Sequence, residues 1–177
     1  FCSSMSSVRW SLQDRDRSYG LLSGERPIQL LIAGKAHPRD DEGKRLVQHL
    51  FVGKDDPRAA AHIAYLDDYD LASAARLVQG CDVWLNVPRP PLEASGTSGM
   101  KSAANGGLNL SVLDGWWAEG YDPGIGWAIA GSGEATRADQ DGADADELFR
   151  LLHDEVVPRY YGPDGLSSLG RAAIASV

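Results

Sequence analysis

The sequence predicts an α/β fold with a doubly wound, Rossmann-like parallel sheet, and three observations carry that expectation. Short apolar runs recur down the chain, each followed by a segment whose apolar residues fall at helical spacing. The runs are apolar throughout rather than alternating, which suits strands buried on both faces of a parallel sheet. A segment of small residues, Glu93-Ala-Ser-Gly-Thr-Ser-Gly99, follows one run at the place where such sheets bind ligands, beyond the carboxyl end of a strand.

Residues 1–24 are rich in serine and arginine and show no hydrophobic period, so an irregular N-terminal arm is expected there. The folded domain is expected to occupy 25–177. Its first strand is Ile28 to Ala33, closed by Gly34. Asp41 to Val52 then places Leu46, Val47, Leu50 and Phe51 on one helical face, with acids in the first turn to complement the helix dipole. Ala61 to Leu66 reads as a second strand, Leu71 to Gln79 as a helix and Cys81 to Asn86 as a third strand. Strand, helix and strand in succession imply right-handed crossovers. A short helix near Met100 and a fourth strand at Leu108 to Val112 follow. Asp144 to Tyr161 forms an amphipathic helix through Leu148, Leu151, Leu152 and Val156, and a weaker helix is expected after Leu166.

Composition narrows the function. A chain of 177 residues with 43% hydrophobic residues can build one sizeable core. A formal charge of -8, from 25 acids against 17 bases, repels polyanions and argues against nucleic-acid binding. No apolar run reaches the roughly 20 residues of a membrane helix, so no membrane partner is expected and a cytoplasmic location is. Two cysteines, Cys2 and Cys81, give neither a disulfide framework nor a metal spacing, and no motif indicates a metal site. Lysines number four: Lys35, Lys44, Lys54 and Lys101.

The 93–99 segment gathers glycines and hydroxyls at a helix start, where free N–H groups and the helix dipole suit an anion such as phosphate. Ser95, Thr97 and Ser98 add hydroxyl donors. An ordinary capped helix start is the competing reading of the same composition. Lys101 lies just beyond, with Ser102, Ala103 and Ala104 leaving room around it. A partly buried lysine there suits covalent bonding to a carbonyl, including that of pyridoxal phosphate, whereas a solvated first-turn lysine is the commoner fate. The spacing of a Walker loop is absent. His37 after the first strand is an acid–base candidate or a solvent-facing residue. Tyr69 and the aromatics Trp116, Trp117 and Tyr121 suit either a site or packing. The charge run Asp139 to Glu147 reads as a solvated helix start.

Pro91-Leu-Glu-Ala-Ser-Gly-Thr-Ser-Gly-Met-Lys101, Asn105-Gly106, Leu113-Asp-Gly-Trp-Trp117 and Glu119-Gly-Tyr121 resemble the pyridoxal-phosphate segment of the glycogen and α-glucan phosphorylases, the bacterial α-glucan type above all. The similarity extends over Ala33-Gly-Lys-Ala-His-Pro38 and Leu66-Asp-Asp-Tyr-Asp70, from about Arg26 to Tyr161. It implies part of the C-terminal domain of a two-domain glycosyltransferase B-type fold. It implies, too, that Lys101 holds pyridoxal 5'-phosphate through its amino group, while Gly96, Thr97 and Ser98 bind the cofactor phosphate. Glu93 and Ser95 would face the glucosyl unit with Gly96, Glu93 accepting from sugar hydroxyls. The implied reaction is phosphorolysis of α-1,4-glucan by orthophosphate to glucose 1-phosphate, with Lys101 and Glu93 as the catalytic residues.

Related nucleotide-sugar transferases carry a second Glu eight positions after the first. Here that position is Lys101, which cannot accept hydrogen bonds from a ribose and so favours the phosphorylase reading. The family's upstream Lys-Arg segment for the substrate phosphate has no clear copy, Ser7-Val-Arg-Trp10 being the nearest. The family's Lys-Ala-Ala-Leu-Asn-Gly stands as Lys101-Ser-Ala-Ala-Asn-Gly106, one leucine fewer. The chain is therefore expected to be a fragment lacking its N-terminal catalytic domain, one half of a site completed by a partner chain, or a non-catalytic cofactor- or sugar-phosphate-binding module.

Overall fold

In the computed structural model, which describes residues 2–4, 14–34, 38–53, 55–131 and 136–162, the apolar runs pair side by side as one parallel sheet. The elements are, in order, β1 (Cys2–Ser4), α1 (Arg15–Ser23), β2 (Leu30–Ala33), α2 (Asp41–Gly53), α3 (Pro57–Ala60), β3 (Ile63–Leu66), α4 (Leu71–Gly80), β4 (Val83–Asn86), α5 (Thr97–Ala104), β5 (Leu108–Val112), α6 (Trp116–Gly120), β6 (Gly126–Ile129), α7 (Arg137–Leu151) and, after a π-helical turn at Leu152–Val156, α8 (Val157–Tyr160). The strand order is β3-β2-β1-β4-β5-β6, with every pair parallel. That order matches a doubly wound sheet, whose direction of travel reverses between β1 and β4. Loops leaving the carboxyl ends of strands beside that reversal diverge and open a crevice.

The described residues of the expected 1–24 arm, 2–4 and 14–24, are built into the fold. Cys2–Ser4 pairs with both β2 and β4 in the interior of the sheet, and α1 buries Tyr19 and Leu22 in the core. A ladder of three residues is made by backbone groups, so Cys-Ser-Ser leaves no apolar signature. Asp14 caps α1 by accepting the Arg17 N–H at 3.0 Å. Three further elements carried no clear signal, α3, α6 and β6; Gly126-Trp-Ala-Ile129 is short and led by glycine. That glycine is required, because a Cβ at Gly126 would stand 2.1 Å from the Asn109 carbonyl oxygen of β5.

Burial follows position. All five residues of β5 and all four of β4 are buried, as interior strands covered on both faces must be. The core falls in two clusters. The larger joins the strands to Tyr19 and Leu22 of α1, Leu50 of α2 and Leu148, Leu151, Leu152 and Val156 of the C-terminal helical stretch. The smaller joins Ala33 and Trp84 to Leu77 and Val78 of α4. A capping box starts α4: Ser73 N–H donates to Asp70 at 2.8 Å, and the Asp70 N–H donates to the Ser73 hydroxyl at 2.9 Å.

The long C-terminal helix begins seven residues before the expected Asp144, at Arg137, behind a Thr136 cap. The π-helical turn precedes Pro158, whose missing N–H and ring disturb regular α-helical pairing. The helix expected after Leu166 lies outside the described residues. Among the described residues, no helix is long and apolar enough to cross a membrane.

Candidate functional site

The loop between β4 and α5 leaves the sheet beside the strand-order reversal and ends in a helix start built for close approach. Gly96 is the N-cap of α5 and has a left-handed φ of 78°, which a side chain would strain. A Cβ there would also stand 3.0 Å from Trp116 Cδ1. At Gly99 the demand is steric: a Cβ would stand 2.8 Å from Asn109 Oδ1 and 2.9 Å from Trp116 Nε1. The first turn of α5 therefore rests directly on β5 and on the indole of Trp116. Asn109, buried in β5, donates from Nδ2 to the Gly99 carbonyl at 3.3 Å.

This packing leaves the helix's leading amides open. The N–H groups of Gly99 and Met100 both donate to the Gly96 carbonyl, at 3.0 and 3.4 Å. Those of Thr97 and Ser98, ahead of them, have no hydrogen bond within the described residues. They stand at the positive end of the helix dipole, where an anion is favoured. Lys101 follows Thr97 by one turn on the same face, and side chains on a helix lean toward its N-terminus. The Lys101 chain thus leans toward those amides. Among the described residues its ammonium makes no ion pair, and of the two alternatives, partly buried or solvated, the exposed residue matches the solvated one. Asn105 Nδ2 donates to the Lys101 carbonyl at 2.8 Å and closes the end of α5.

Glu93 and Ser95 are half-buried, and the chain segment they sit on is fastened to the loop after β5. The Glu93 N–H donates to Asp114 Oδ2 at 2.9 Å, and Asp114 Oδ1 accepts the Gly115 N–H at 2.9 Å. The Trp116 N–H donates to the Ser95 carbonyl at 2.9 Å. Gly115, at φ 55°, allows the two strands of loop to meet; a Cβ there would stand 2.8 Å from the Ser95 oxygen. One contiguous surface therefore carries Glu93, Ser95, Gly96, Thr97, Ser98 and Lys101. It presents two amides without a hydrogen bond within the described residues, neighbouring hydroxyls, an amine one turn away and a half-buried glutamate.

Tyr69 packs against the Ala33, Leu77, Val78 and Trp84 cluster. Trp117 is wholly buried and donates from Nε1 to the Trp127 carbonyl at 3.2 Å, a core role. Trp116 supports the loop, and Tyr121 is partly exposed against Trp117 with ring centroids 5.4 Å apart. Lys35 and His37 lie outside the described residues. Of the expected solvated run, Asp139 and Asp146 are exposed, but Asp144 is buried with Oδ1 unpartnered. Burial first and the charge of Asp141 second push the Asp144 carboxyl up to about 6.

Arg89, Asp114 and Asn109 carry structural duties that no local pattern announces. The partners of Arg89 and Asp114 lie 52 and 21 residues away. The one local hint was Leu113-Asp-Gly115, an aspartate before a glycine at a strand end. A groove of about 850 Å³ lies elsewhere, along α4 and the end of α8, and includes none of residues 93–101. Among the described residues, no group of three or more His, Cys, Asp or Glu is placed to hold a metal ion.

Comparison with known proteins bears on the same segment. The family model of the carbohydrate phosphorylases matches residues 19–119. The chain is 51% identical over 140 residues to a glycogen phosphorylase of Aquifex aeolicus, covering 79% of this chain and 20% of that protein. A glycogen phosphorylase of Mycobacterium tuberculosis is 52% identical over 155 residues, 86% of this chain and 18% of its own length. A maltodextrin phosphorylase of Thermococcus litoralis is 48% identical over 138 residues, 77% of this chain and 17% of its own. The chain thus spans about a fifth of the length of the curated relatives it matches.

Proposed function

The chain belongs to the carbohydrate phosphorylase family, and from that premise we propose that it is the cofactor-bearing part of an α-glucan phosphorylase, a portion of the C-terminal domain of a glycosyltransferase B-type enzyme. The observation that carries this reading is the pairing of two unengaged amides, at Thr97 and Ser98, with an unpaired amine one turn later, at Lys101. A phosphate with an aldehyde at a short distance fits that pair, and pyridoxal 5'-phosphate is such a molecule. Gly96 and Gly99 let the helix start rest on Trp116 and Asn109, which fixes the direction of those amides.

When bound, pyridoxal phosphate supplies a phosphate group that exchanges a proton with the substrate phosphate. Lys101 would hold the cofactor through its amino group, the amine and the aldehyde joining with loss of water, and the amides of Thr97 and Ser98, with their hydroxyls, would bind its phosphate. Glu93 accepts hydrogen bonds from the glucosyl hydroxyls and fixes the ring, helped by Ser95 and the Gly96 backbone. In the reaction, an orthophosphate oxygen bonds to C1 of the terminal glucosyl unit while the α-1,4 bond breaks. The departing glucan oxygen takes the proton that the orthophosphate gives up, and glucose 1-phosphate is formed. Positioning of this kind depends on a closed cleft that excludes water. The described residues form one wall of it, so the partner we assign is the rest of the phosphorylase chain, or a separate chain that supplies the N-terminal catalytic domain.

The test is glucose 1-phosphate release from maltodextrin and orthophosphate, with and without the remaining phosphorylase segments joined to this chain. Release by the joined protein, abolished by Lys101→Ala, is the expected result. Activity that survives Lys101→Ala contradicts the assignment of Lys101.

A further inference from the structure

Near Glu93 and Ser95 the β4–α5 loop is held by Asp114 and by the Trp116 N–H. Nearer β4 it is held by Arg89. Its guanidinium forms a two-pronged pair with Asp141 of α7, Nε to Oδ1 at 2.9 Å and Nη2 to Oδ2 at 2.6 Å, and reaches Glu42 of α2 at 3.3 Å. The Arg89 and Asp141 side chains are only 19% and 14% exposed, which makes this the best-sheltered ion pair among those described; Glu42 is mostly in water and adds little. The Asp141 carboxylate holds the Arg89 pKa above its usual value. A guanidinium engaged by two oxygens in fork geometry has a fixed direction. Its charge is already matched, so Arg89 is not a free anion receptor.

Rigid chain carries that direction to the site. The Leu92 N–H donates to the Arg89 carbonyl at 2.8 Å, closing a turn whose two central residues, Pro90 and Pro91, have fixed φ. Glu93 comes next. We propose that Arg89 is a positioning residue: pinned by Asp141, it sets the direction in which the loop leaves β4 and thereby places Glu93 and the Gly96–Ser98 amides. The inference rests on reading this loop as the sugar and cofactor seat. Displacements of about 1 Å in such a seat cost catalysis heavily.

The test uses the whole 177-residue chain with Arg89→Met, which keeps the aliphatic stem, the near-isosteric Asp141→Asn, and the double variant. Two quantities are read: amide hydrogen exchange, residue by residue, and the dissociation constant for pyridoxal phosphate. Each single variant is expected to speed exchange of the Glu93 and Trp116 amides about tenfold while the β4 and β5 amides keep their rates, since loop opening is then local. The double variant is expected to match the singles, because the pair acts as a unit. Arg89→Lys, which keeps charge without the fork, is expected to fall between. Unchanged loop exchange, loop and sheet amides quickening together, or additive effects in the double variant each overturn the proposal. Cofactor affinity is read separately. If the unaltered chain binds no pyridoxal phosphate, the cofactor reading fails while the exchange data still decide the role of Arg89. If it binds and the variants bind equally well, the positioning role fails alone.

Discussion

At Gly99, a single hydrogen in place of a methyl group lets the first turn of α5 rest on Asn109 and Trp116. Gly99→Ala introduces a contact of 2.8 Å to Asn109 Oδ1. It is expected to lower stability by about 1–3 kcal/mol, the usual cost of overpacking. The loss of pyridoxal-phosphate binding is expected to exceed the loss of stability, and equilibrium unfolding beside a cofactor titration measures both. Lys101→Ala behaves in the opposite way, since Lys101 is exposed and unpaired: unfolding is expected to stay within about 0.5 kcal/mol of the parent while the covalent adduct disappears. Asp144 adds a pH dependence. Its carboxyl, raised to about 6 in the fold, favours the protonated native state. Its contribution is therefore fully present below the unfolded carboxylate range and lost as pH rises through about 6. At about 1.4 kcal/mol per pKa unit the ceiling is about 3 kcal/mol, and an unpartnered Asn amide forfeits part of it. Asp144→Asn is thus expected to gain about 1–2 kcal/mol at pH 8 and nothing at pH 4, measured by denaturant unfolding at both. A gain of the same size at both pH values contradicts the titration. These residue-scale features were partly legible. The 93–101 segment announced itself through glycine, hydroxyl and lysine in one short stretch, whereas Arg89 and Asp114 act through partners distant in sequence.

Elements differ in how far composition betrays them. β2, β4 and β5 stood out as apolar runs because interior parallel strands are buried on both faces, whereas β3 lies at the sheet's edge with only Ile63 buried and stood out by its apolar composition alone. Cys81 was placed in the third strand, but β4 starts at Val83, because Cys81 instead ends α4, its N–H donating to the Leu77 carbonyl at 3.0 Å. β1 was missed because its pairing is backbone chemistry. In α7, the acidic run hid a helix start that Thr136 marks, its hydroxyl accepting the Asp139 N–H at 3.2 Å. Removal of that cap by Thr136→Ala is expected to cost about 1 kcal/mol. The same helix is fixed to the sheet by Leu148, which is 0% exposed. Leu148→Ala is expected to cost about 2–5 kcal/mol by leaving a cavity, clearly more than the cap. The ratio of the two, read from chemical denaturation, shows whether α7 is held by its packing face; equal costs contradict that view.

At the scale of the whole molecule, the parallel sheet and its doubly wound order follow from alternating strands and helices with right-handed crossovers. The sequence pattern showed the alternation but not the sheet's edge at β6 or its centre at β1, because neither strand has an extended apolar run. The carboxyl ends of the strands then bring the β4 and β5 loops together, and the helix start between them is where we propose that an anion is seated beside an amine. The chain spans about a fifth of its relatives' length, and one wall of a cleft cannot align two substrates. This chain by itself is accordingly expected to bind pyridoxal phosphate without releasing glucose 1-phosphate, as a coupled phosphoglucomutase assay on the isolated protein checks. The most direct test of the central claim is borohydride reduction after incubation with pyridoxal phosphate, followed by peptide mass mapping of Lys35, Lys44, Lys54 and Lys101. A near-stoichiometric pyridoxyl adduct confined to Lys101 is the predicted result. An unlabelled Lys101, or label spread evenly over the four lysines, contradicts the claim that the α5 helix start is a cofactor seat.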